Sequence, residues 1–303
     1  MNDRPTRGTA AGRAYLDLQN LARRTKRPTD ELHQIYALEG FLARLVKSAY
    51  ADRLVLKGGV LLAALGVRRP TRDVDFQGQR LSNDIEPMLA IVREIAKIPV
   101  DDGLVLDGDS ASAESIRDQD EYSGVRVTLT AQLAAARLTF HVDINVGDPI
   151  WPAPQTVALP RLLDGDIHVV GYPLSMVHAE KLVTTVQRGA ANTRWRDFVD
   201  IYALSRRHDI DGDELTAAMR QVAEHRGARL TSLEDALGDF ATQAQRRWAT
   251  WLRKQRLDDQ LPSQFHSVLD AIRSFADPVL LGSAVGQSWD AAHLEWTPTS
   301  TAG

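Results

Sequence analysis

The stretch "LVLKGGVLLAALGVRRPTRDVDFQ", residues 54–77, decides the fold of this chain. Its first residues form a short apolar run that ends at Gly58 and Gly59, which predicts a strand followed by a tight turn. The apolar residues that follow, closed by Gly66, predict a helix, and "RDVDFQG" predicts a second strand. The stretch therefore predicts a strand, a glycine turn and a helix that lead into a strand carrying two aspartates.

The second predicted strand carries a pair of carboxylates on one face. Side chains alternate along a strand, so Asp73 and Asp75 point the same way while Val74 points into the core. Two like charges at this spacing repel each other, and a divalent cation neutralises them most directly. The solvent face of an edge strand carries the same Asp-x-Asp pattern, but the glycine turn that precedes it favours a metal site.

The glycine turn predicts a phosphate site. Gly58 and Gly59 have no Cβ, so backbone N–H groups and a helix N-terminus can approach an anion closely. Lys57 is a candidate phosphate contact, although a lysine at a strand end is as often on the surface. Carboxylates that bind Mg²⁺ beside a turn that binds a triphosphate fit nucleotidyl transfer from an NTP.

A third carboxylate lies in "HVDINVGD", residues 141–148. Strand alternation places Asp143 on the face opposite Val142 and Ile144. A carboxylate in the middle of a strand is costly if it is buried without a partner, so Asp143 either faces water or shares the metal site. We favour the metal site, and we expect Asp148 to be a turn residue.

The bulk composition is that of an ordinary globular protein. The chain has 303 residues, 44% of them hydrophobic, with a formal net charge of -4 and no cysteine. These values exclude a disulfide framework and a thiolate metal site, and they give no overall basic field for nucleic acid. The sequence shows no signal-peptide core and no run of about 20 apolar residues, so we expect a cytoplasmic protein without a membrane partner.

The pattern of apolar residues divides the chain into three parts. Residues 1–50 are predicted to form an N-terminal helical segment, interrupted at Pro28, with Thr29 or Asp30 as the N-cap of its second helix. Residues 51–172 are predicted to form the core with a small mixed sheet, and residues 173–303 a helical C-terminal lobe. This is an α/β (α+β) fold.

Three local features complete the prediction. A helix is expected to begin near Asn83 or Asp84. The alternating pattern of residues 103–147 predicts antiparallel strands joined by an acidic, polar loop at residues 107–121. The stretch from residue 282 to 303 is rich in small residues, and we expect its end to be loosely held.

With these residues in place, the chain resembles the abortive-infection AbiEii/AbiGii toxin family of nucleotidyltransferases, which includes the mycobacterial MenT toxins. The resemblance spans roughly residues 54–204. It departs from the family pattern at Arg196, where lysine is usual, and at Ile201, where leucine is usual. The motifs that carry it are "LKGGVLL", "RPTRDVDF", "VDINVGD", "HAEKLVTTVQR" and "RWRDFVDIYAL".

The resemblance implies a polymerase-β-like nucleotidyltransferase core, dependence on Mg²⁺, and a cognate antitoxin in a toxin–antitoxin or phage-defence pair. It also implies transfer of a nucleotide from an NTP to an RNA acceptor, with the tRNA 3′ end as the expected site. This transfer is expected to block translation. Transfer to a protein or a small molecule is an alternative. A binding protein that has lost the chemistry is another, but Asp73, Asp75, Asp143 and Lys181, the lysine of "HAEKLVTTVQR", are all present.

The helices after residue 173 supply the remaining candidates. Lys181 and Arg188 lie seven residues apart on one face, where they can bind the triphosphate, although a solvated cationic face has the same spacing. Asp197 is expected to orient Lys181 or an arginine, on a helix capped by Asn192 or Thr193. Further along, Asp200 is a possible functional residue and an equally good helical partner of Arg196, and Trp195 is expected to pack.

Thr71 is the last candidate. It precedes Asp73 by two residues and shares its face if the strand begins that early, so its hydroxyl would border the triphosphate. In some toxin pairs of the resembled family, a kinase-like antitoxin phosphorylates the toxin near its active site, which makes Thr71 a candidate phosphorylation site. The alternative is that Thr71 only hydrogen-bonds the turn after Pro70.

Overall fold

The computed structural model of the chain describes residues 5–117 and 123–299, which fall into two units. The first unit comprises Met1–Asp148 and Pro154–Tyr172. The second comprises Pro149–Ala153 and Pro173–Gly303. Each unit buries an apolar core of its own.

The first unit is built on a mixed sheet that has seven strands within the described residues. The strands are β1 Leu54–Lys57, β2 Asp73–Gly78, β3 Leu104–Arg117, β4 Ser123–Leu133, β5 Ala136–Val146, β6 Gln155–Pro160 and β7 Asp166–Gly171. Their order across the sheet is β3-β4-β5-β2-β1-β7-β6. The pairs β2–β5 and β1–β7 are parallel, whereas the others are antiparallel. The predicted α/β fold with a mixed sheet is confirmed.

One helix covers the strands that carry the aspartates. The helices of this unit are α1 Ala10–Thr25, α2 Thr29–Leu45, α3 Gly58–Leu61 and α4 Ile85–Ala96. On α2, the ring of Phe41 lies 6.3 Å from the ring of Phe76 on β2 and 6.1 Å from that of Phe140 on β5. This contact fixes the apolar side of β2 and β5 and leaves their aspartates on the other face.

Two local predictions for the first unit are wrong. The N-cap of α2 is Pro28, which makes no side-chain cap, and both predicted capping residues lie inside the helix. Pro28 restricts its own backbone φ to a value that suits the start of a helix, so the chain can enter α2 without a side-chain cap. The acidic loop predicted at residues 107–121 is strand as far as Arg117, because β3 is an edge strand whose polar side chains face solvent. Residues 118–121 lie outside the described residues.

The second unit is mainly helical, as predicted. Its helices are α5 Leu174–Arg188, α6 Trp195–Ser205, α7 Gly212–His225, α8 Leu233–Leu237, α9 Phe240–Gln255 and α10 Phe265–Leu280, with a 3-10 turn at Gly189–Ala191. Stacked and edge-to-face aromatic rings join α6, α9 and α10. Trp195 lies 5.9 Å from Phe240 and 5.3 Å from Phe265 between ring centroids. Trp195 is therefore a packing residue.

The second unit also contains strands that the sequence did not predict. The strands β8 Ile210–Asp211, β9 Gln287–Asp290 and β10 Glu295–Pro298 form a sheet in the order β10-β9-β8. Trp289 and Trp296 pack on Phe275 and donate hydrogen bonds to backbone carbonyls at 2.6 and 3.0 Å. These two tryptophans hold residues 287–298 in place, and residues 300–303 lie outside the described residues.

Among the described helices, none has both the length and the apolar character required to cross a membrane.

Candidate active site

Four charged side chains form a row across neighbouring strands of the first unit. The strand register places Lys57 beside Asp75, Asp75 beside Asp143, and Asp143 beside Arg126. Neighbouring strands are about 4.8 Å apart, so these four charged side chains lie close together. In order across the strands they are a cation, two anions and a second cation. Asp73 lies beside His141 on the same pair of strands and adds a third carboxylate. The three predicted aspartates are thus close together in one unit.

The pKa of the Asp75 carboxyl is perturbed by its surroundings. Burial, followed by the charge of Asp143, raises the pKa of Asp75 to about 6, although part of the Asp75 surface remains open to solvent. Lys57 and Arg69 act in the opposite direction, and Asp73 adds to the rise. An ion of positive charge at this point would relieve the repulsion.

Asp143 has a partner that the sequence analysis did not consider. Its Oδ1 accepts a hydrogen bond from Nε of Arg126 at 2.8 Å, and its Oδ2 accepts one from Nη2 at 2.6 Å. The two expected alternatives were water and a metal ion, whereas the structure gives this carboxylate an arginine. Arg126 stands between Val125 and Val127 in an alternating strand, so its face was predictable, but its pairing depends on the order of strands.

The glycine turn packs directly against Asp75. Gly58 has a φ of 67°, and a Cβ at this position would overlap the Asp75 carboxylate. A Cβ on Gly59 would lie 3.1 Å from Oγ1 of Thr71 and 3.2 Å from Nη1 of Arg69. The turn is therefore bordered by a carboxylate on one side and by a hydroxyl and a guanidinium on the other. Arg69 was missed by the sequence analysis, although it lies inside the decisive stretch.

The helix after the glycine turn is shorter than predicted. It ends at Leu61 instead of continuing to Gly66, because residues 62–65 form turns with hydrogen bonds three residues apart. A single helical turn has little dipole, so an anion at this position would be bound by the backbone N–H groups and neighbouring cations instead.

Lys57 and Thr71 are both engaged within the first unit. Nζ of Lys57 lies 3.3 Å from Oδ2 of Asp148 and 5.6 Å from the ring centre of Tyr172, so this lysine is mostly buried and not on the surface. Asp148, expected only as a turn residue, is thus its buried partner. Because β2 begins at Asp73, the premise that Thr71 shares its strand face is wrong. The Thr71 hydroxyl donates to the Asp73 carbonyl at 3.2 Å, which is the hydrogen bond of the alternative interpretation.

The second unit has a separate charged cluster around Lys181. Its Nζ donates to Oδ1 of Asp197 at 2.7 Å and to Oδ2 of Asp200 at 2.8 Å. Arg194 donates from Nε to the other oxygen of Asp197 at 2.6 Å. Burial by itself disfavours the Asp197 carboxylate, but Lys181 and Arg194 outweigh burial and hold its pKa at about 2. Asp200 is fully buried and belongs to this cluster.

The ends of α5 and α6 differ from the prediction. Arg188 is the last residue of α5, half-buried and about two turns from Lys181. The predicted N-caps of α6 are wrong, because the helix begins at Trp195 with Arg194 as its N-cap. Asn192 instead accepts a hydrogen bond from the backbone N–H of Arg194 at 2.8 Å, which shapes the turn before the helix.

Asp73 and Asp75 fit a divalent cation. Their donors are carboxylate oxygens, which Mg²⁺ prefers, and the raised pKa of Asp75 reflects burial and, after it, the like charge of Asp143. In the described ranges, no three side chains of the types His, Cys, Asp or Glu converge as a complete metal site. A divalent cation such as Mg²⁺ commonly binds through one or two protein carboxylates together with substrate phosphates and water, so the carboxylates of Asp73 and Asp75 would be a sufficient set of protein donors.

Comparison with known proteins identifies the family. A family model described as nucleotidyl transferase AbiEii toxin, of a type IV toxin–antitoxin system, matches residues 40–289. The chain belongs to this family. The protein is therefore a nucleotidyltransferase of the AbiEii toxin class, as the resemblance implied. The AbiEii family implies an NTP substrate, an antitoxin partner and a divalent metal.

Two proteins of known structure are among those that match this chain. MenT4, a nucleotidyltransferase toxin from Mycobacterium tuberculosis, is 17% identical with a TM-score of 0.49, over 92% of this AbiEii chain and 99% of that chain. JHP933 from Helicobacter pylori is 18% identical with a TM-score of 0.47, over 81% of this chain and 93% of that chain. No curated protein matches the chain.

Proposed function

We propose that this AbiEii protein transfers a nucleotide from an NTP to an RNA acceptor, the 3′ end of tRNA, and thereby blocks translation. The observation that carries the proposal is the contact of the Asp75 carboxylate with Gly58, which joins a carboxylate pair to a glycine turn. The family supplies the reaction class, and the tRNA acceptor and Mg²⁺ dependence are inferred from the resemblance of the motifs. We place the reaction in the cytoplasm, where its substrates are.

The proposed roles follow from the chemistry of each side chain. Asp73 and Asp75 would bind Mg²⁺, a Lewis acid that neutralises charge on the transferred phosphoryl group. Gly58 and Gly59 would offer backbone N–H groups to the triphosphate, with Arg69 beside them as a fork of donors. The acceptor hydroxyl forms a bond to the α-phosphorus, the bond to the bridging oxygen breaks, and pyrophosphate leaves as the hydroxyl proton passes to solvent.

Lys57, Asp143 and Thr71 support these groups in the same proposal. The positive charge of Lys57 favours the ionised form of Asp75. The ion pair with Asp148 holds the Lys57 ammonium group in position for this interaction. Asp143 is a further metal ligand only when it separates from Arg126. Thr71 borders the glycine turn with its hydroxyl.

In the second unit, Lys181 is proposed to neutralise phosphate charge, with Asp197 as the residue that orients it. Its two carboxylate partners fix the direction of the ammonium group. Arg188, at the end of the same helix, is proposed as an additional cation for the NTP. The roles of Lys181, Asp197 and Arg188 do not depend on the residues proposed to bind the metal, so mutations can test the two groups of residues separately.

The test is transfer of label from each of the four NTPs, in turn, to total tRNA by purified protein. We expect labelled tRNA with at least one NTP, loss of label when Mg²⁺ is chelated, and loss of label with Asp75→Asn. Label in protein or in a small molecule, with tRNA unlabelled, would replace the proposed acceptor. An unlabelled reaction with every acceptor would indicate a binding protein that has lost the chemistry.

A further inference from the structure

The exposed face of α9 is strongly basic in a protein whose net charge is negative. The helix contains Arg246, Arg247, Arg253 and Lys254, and Arg256 follows as its C-cap. Its 16 residues include no acidic side chain, whereas the whole chain has a formal net charge of -4. The positive charge of this helix is therefore local and not part of a general basic field.

The four cations of the helix lie on one side of it. At about 100° per residue, Arg246, Arg247, Arg253 and Lys254 fall within roughly a third of the helix circumference. The opposite side is buried through Phe240, Ala244, Trp248 and Leu252, and the four cations are all exposed. The basic face, defined as these four residues, is thus turned to solvent by the packing of the helix.

The described part of the chain supplies no carboxylate partner to the cations of the basic face. Within residues 5–117 and 123–299, no carboxylate forms an ion pair with any of the four. A cation–π contact brings Arg247 to 5.9 Å from the ring centre of Phe240. Four like charges on one face repel each other, which an anionic partner would relieve.

The helix that presents the basic face is firmly anchored. Trp248 donates from its indole nitrogen to the Pro262 carbonyl at 3.1 Å, and the side-chain oxygen of Gln245 accepts from the Phe265 backbone at 2.7 Å. Trp251 packs on Trp248 with ring centroids 5.5 Å apart. The cations therefore lie on a rigid element, which lowers the entropy lost on binding.

We propose that the basic face of α9 binds the sugar–phosphate backbone of the acceptor RNA without reading its sequence. The inference rests on the proposed RNA acceptor. From Arg246 to Lys254 the helix advances about 12 Å, which faces several phosphates of a duplex. Guanidinium groups bind phosphate through two parallel hydrogen bonds, and three of the four cations are arginines.

The chemistry of the face favours RNA over a protein partner. A protein interface needs an apolar centre that excludes water. The exposed uncharged residues of α9 are Thr242, Gln243 and Thr250, and all three are polar. Contacts that are charged and polar throughout are typical of a surface that binds the nucleic-acid backbone.

The test measures binding of end-labelled tRNA by anisotropy, without NTP, over a range of KCl concentrations. Arg253→Gln/Lys254→Gln removes two cations from the last turn of α9. Each phosphate contact contributes roughly 0.7 to 0.9 to the slope of log affinity against log salt, so the slope should fall by about 1.5. The affinity should fall about tenfold at moderate salt, and removing all four cations should enlarge both effects.

The chain offers a matched control. Arg23 and Arg24 occupy the last turn of α1, which also has 16 residues and ends in a left-handed C-cap, and both are exposed. Arg23→Gln/Arg24→Gln should leave the tRNA affinity and salt slope as they are in the wild type. An equal loss in both double variants, or no loss in the α9 variant, overturns the proposal. Loss of antitoxin binding with unchanged tRNA affinity would also overturn it and assign the face to a protein.

Transfer assays separate this inference from the proposed function. If the wild type labels tRNA, the α9 variant should raise the KM for tRNA and leave kcat unchanged, because the proposed contacts are made to the RNA backbone and not to the reacting groups. If the wild type binds tRNA through α9 but labels another acceptor, the proposed function fails and the binding surface stands. A lower kcat with an unchanged KM would contradict a docking role.

Discussion

Arg126 holds Asp143 through two parallel hydrogen bonds of 2.8 and 2.6 Å, so the third carboxylate of the candidate active site is already neutralised by a protein cation. The same row of strands places Lys57 on the other side of Asp75. The outer cations Lys57 and Arg126 offset part of the negative charge of the two inner carboxylates, to which Asp73 adds a third. The protein has therefore limited the charge that a metal ion must compensate.

Removing the arginine should make the first unit more dependent on a divalent cation. Arg126→Met leaves Asp143 largely buried without a partner, which we expect to destabilise the fold by about 2 kcal/mol in the absence of divalent ions. Mg²⁺ or Mn²⁺ should then raise the Tm by more than in the wild type, because the released carboxylate can bind the cation. Thermal denaturation with and without each ion measures both effects.

The double variant Arg126→Met/Asp143→Asn is the control for this effect. It removes the released charge, so the extra stabilisation by the cation should disappear and stability without metal should recover. If the single variant gains no more from the cation than the wild type, Asp143 is not a metal ligand in the free protein.

Lys181 should contribute separately to stability and to transfer. Lys181→Met leaves the buried carboxylates of Asp197 and Asp200 with one cation fewer, which we expect to cost about 3 to 5 kcal/mol. Adding Asp200→Asn removes one of the stranded charges and should restore much of the stability. Urea unfolding gives the stability, and labelled NTP gives the transfer rate.

The proposed phosphate role predicts that transfer does not return in the Lys181→Met/Asp200→Asn protein. A double variant that is both stable and as active as the wild type would show that Lys181 only maintains the fold. Asp200→Asn alone shows how much of any loss comes from the aspartate.

Stability should fall with acidity because of His178. This side chain is fully buried against Phe275, and neither ring nitrogen has a hydrogen-bond partner within the described residues. Burial, then the charges of Lys181 and His208, lower the pKa of His178 to about 3. Above the unfolded pKa of about 6.5 both states are neutral, and below it only the unfolded state takes up the proton. The free energy of unfolding should therefore decline by up to about 1.4 kcal/mol per pH unit between these values.

Urea unfolding between about pH 7.5 and 5 tests the effect, because most carboxylates remain ionised in this range. His178→Leu should reduce the slope of the free energy of unfolding against pH by nearly the amount that corresponds to the uptake of one proton. His266→Gln replaces an exposed histidine of the same unit and should leave the slope as it is in the wild type. The same slope in wild type and His178→Leu would rule out His178 as the cause.

A negative charge at Thr71 should stop the reaction. Its hydroxyl borders the glycine turn and hydrogen-bonds the backbone of Asp73, so a phosphate here would add a charge of about -1.5 to -2 beside the carboxylates and the incoming NTP. Thr71→Glu should remain folded and lose nearly all transfer, whereas Thr71→Gln, of the same shape without the charge, should keep most of it. Equal activity of the two variants would contradict the electrostatic reason.

Whether the antitoxin makes this modification is a separate question. Co-expression of the two proteins, followed by peptide mass analysis, should find the phosphate on Thr71 and none after Thr71→Val. A toxin that is neutralised without any phosphate would require a different mode of inhibition.

The sequence predicted those parts of the site that depend on local pattern. Alternation in "RDVDFQG" placed Asp73 and Asp75 together, and the glycines after Lys57 predicted the turn. The fold class followed from the same period-2 and helical patterns. Each of these features involves residues within a few positions of one another.

The missed features depend on contacts between distant strands and helices. Arg126 faces Asp143 because β4 pairs with β5, and Asp148 reaches Lys57 across the sheet. Periodicity gives the face of a residue but not its neighbour on the next strand. The hairpin of β9 and β10 was missed because two tryptophans, and not a strong strand pattern, hold it against Phe275.

The parallel pairing of β2 with β5 has a consequence for timing during synthesis. Between these strands the chain passes through α4 and the hairpin of β3 and β4, so Asp75 and Asp143 meet only after that whole segment has left the ribosome and folded. Pairings between distant segments form late, because the entropy of closing a long loop is lost before any contact is gained. A chain whose synthesis has not passed Asp143 therefore has no assembled carboxylate row, and the site can form only once β5 has been made.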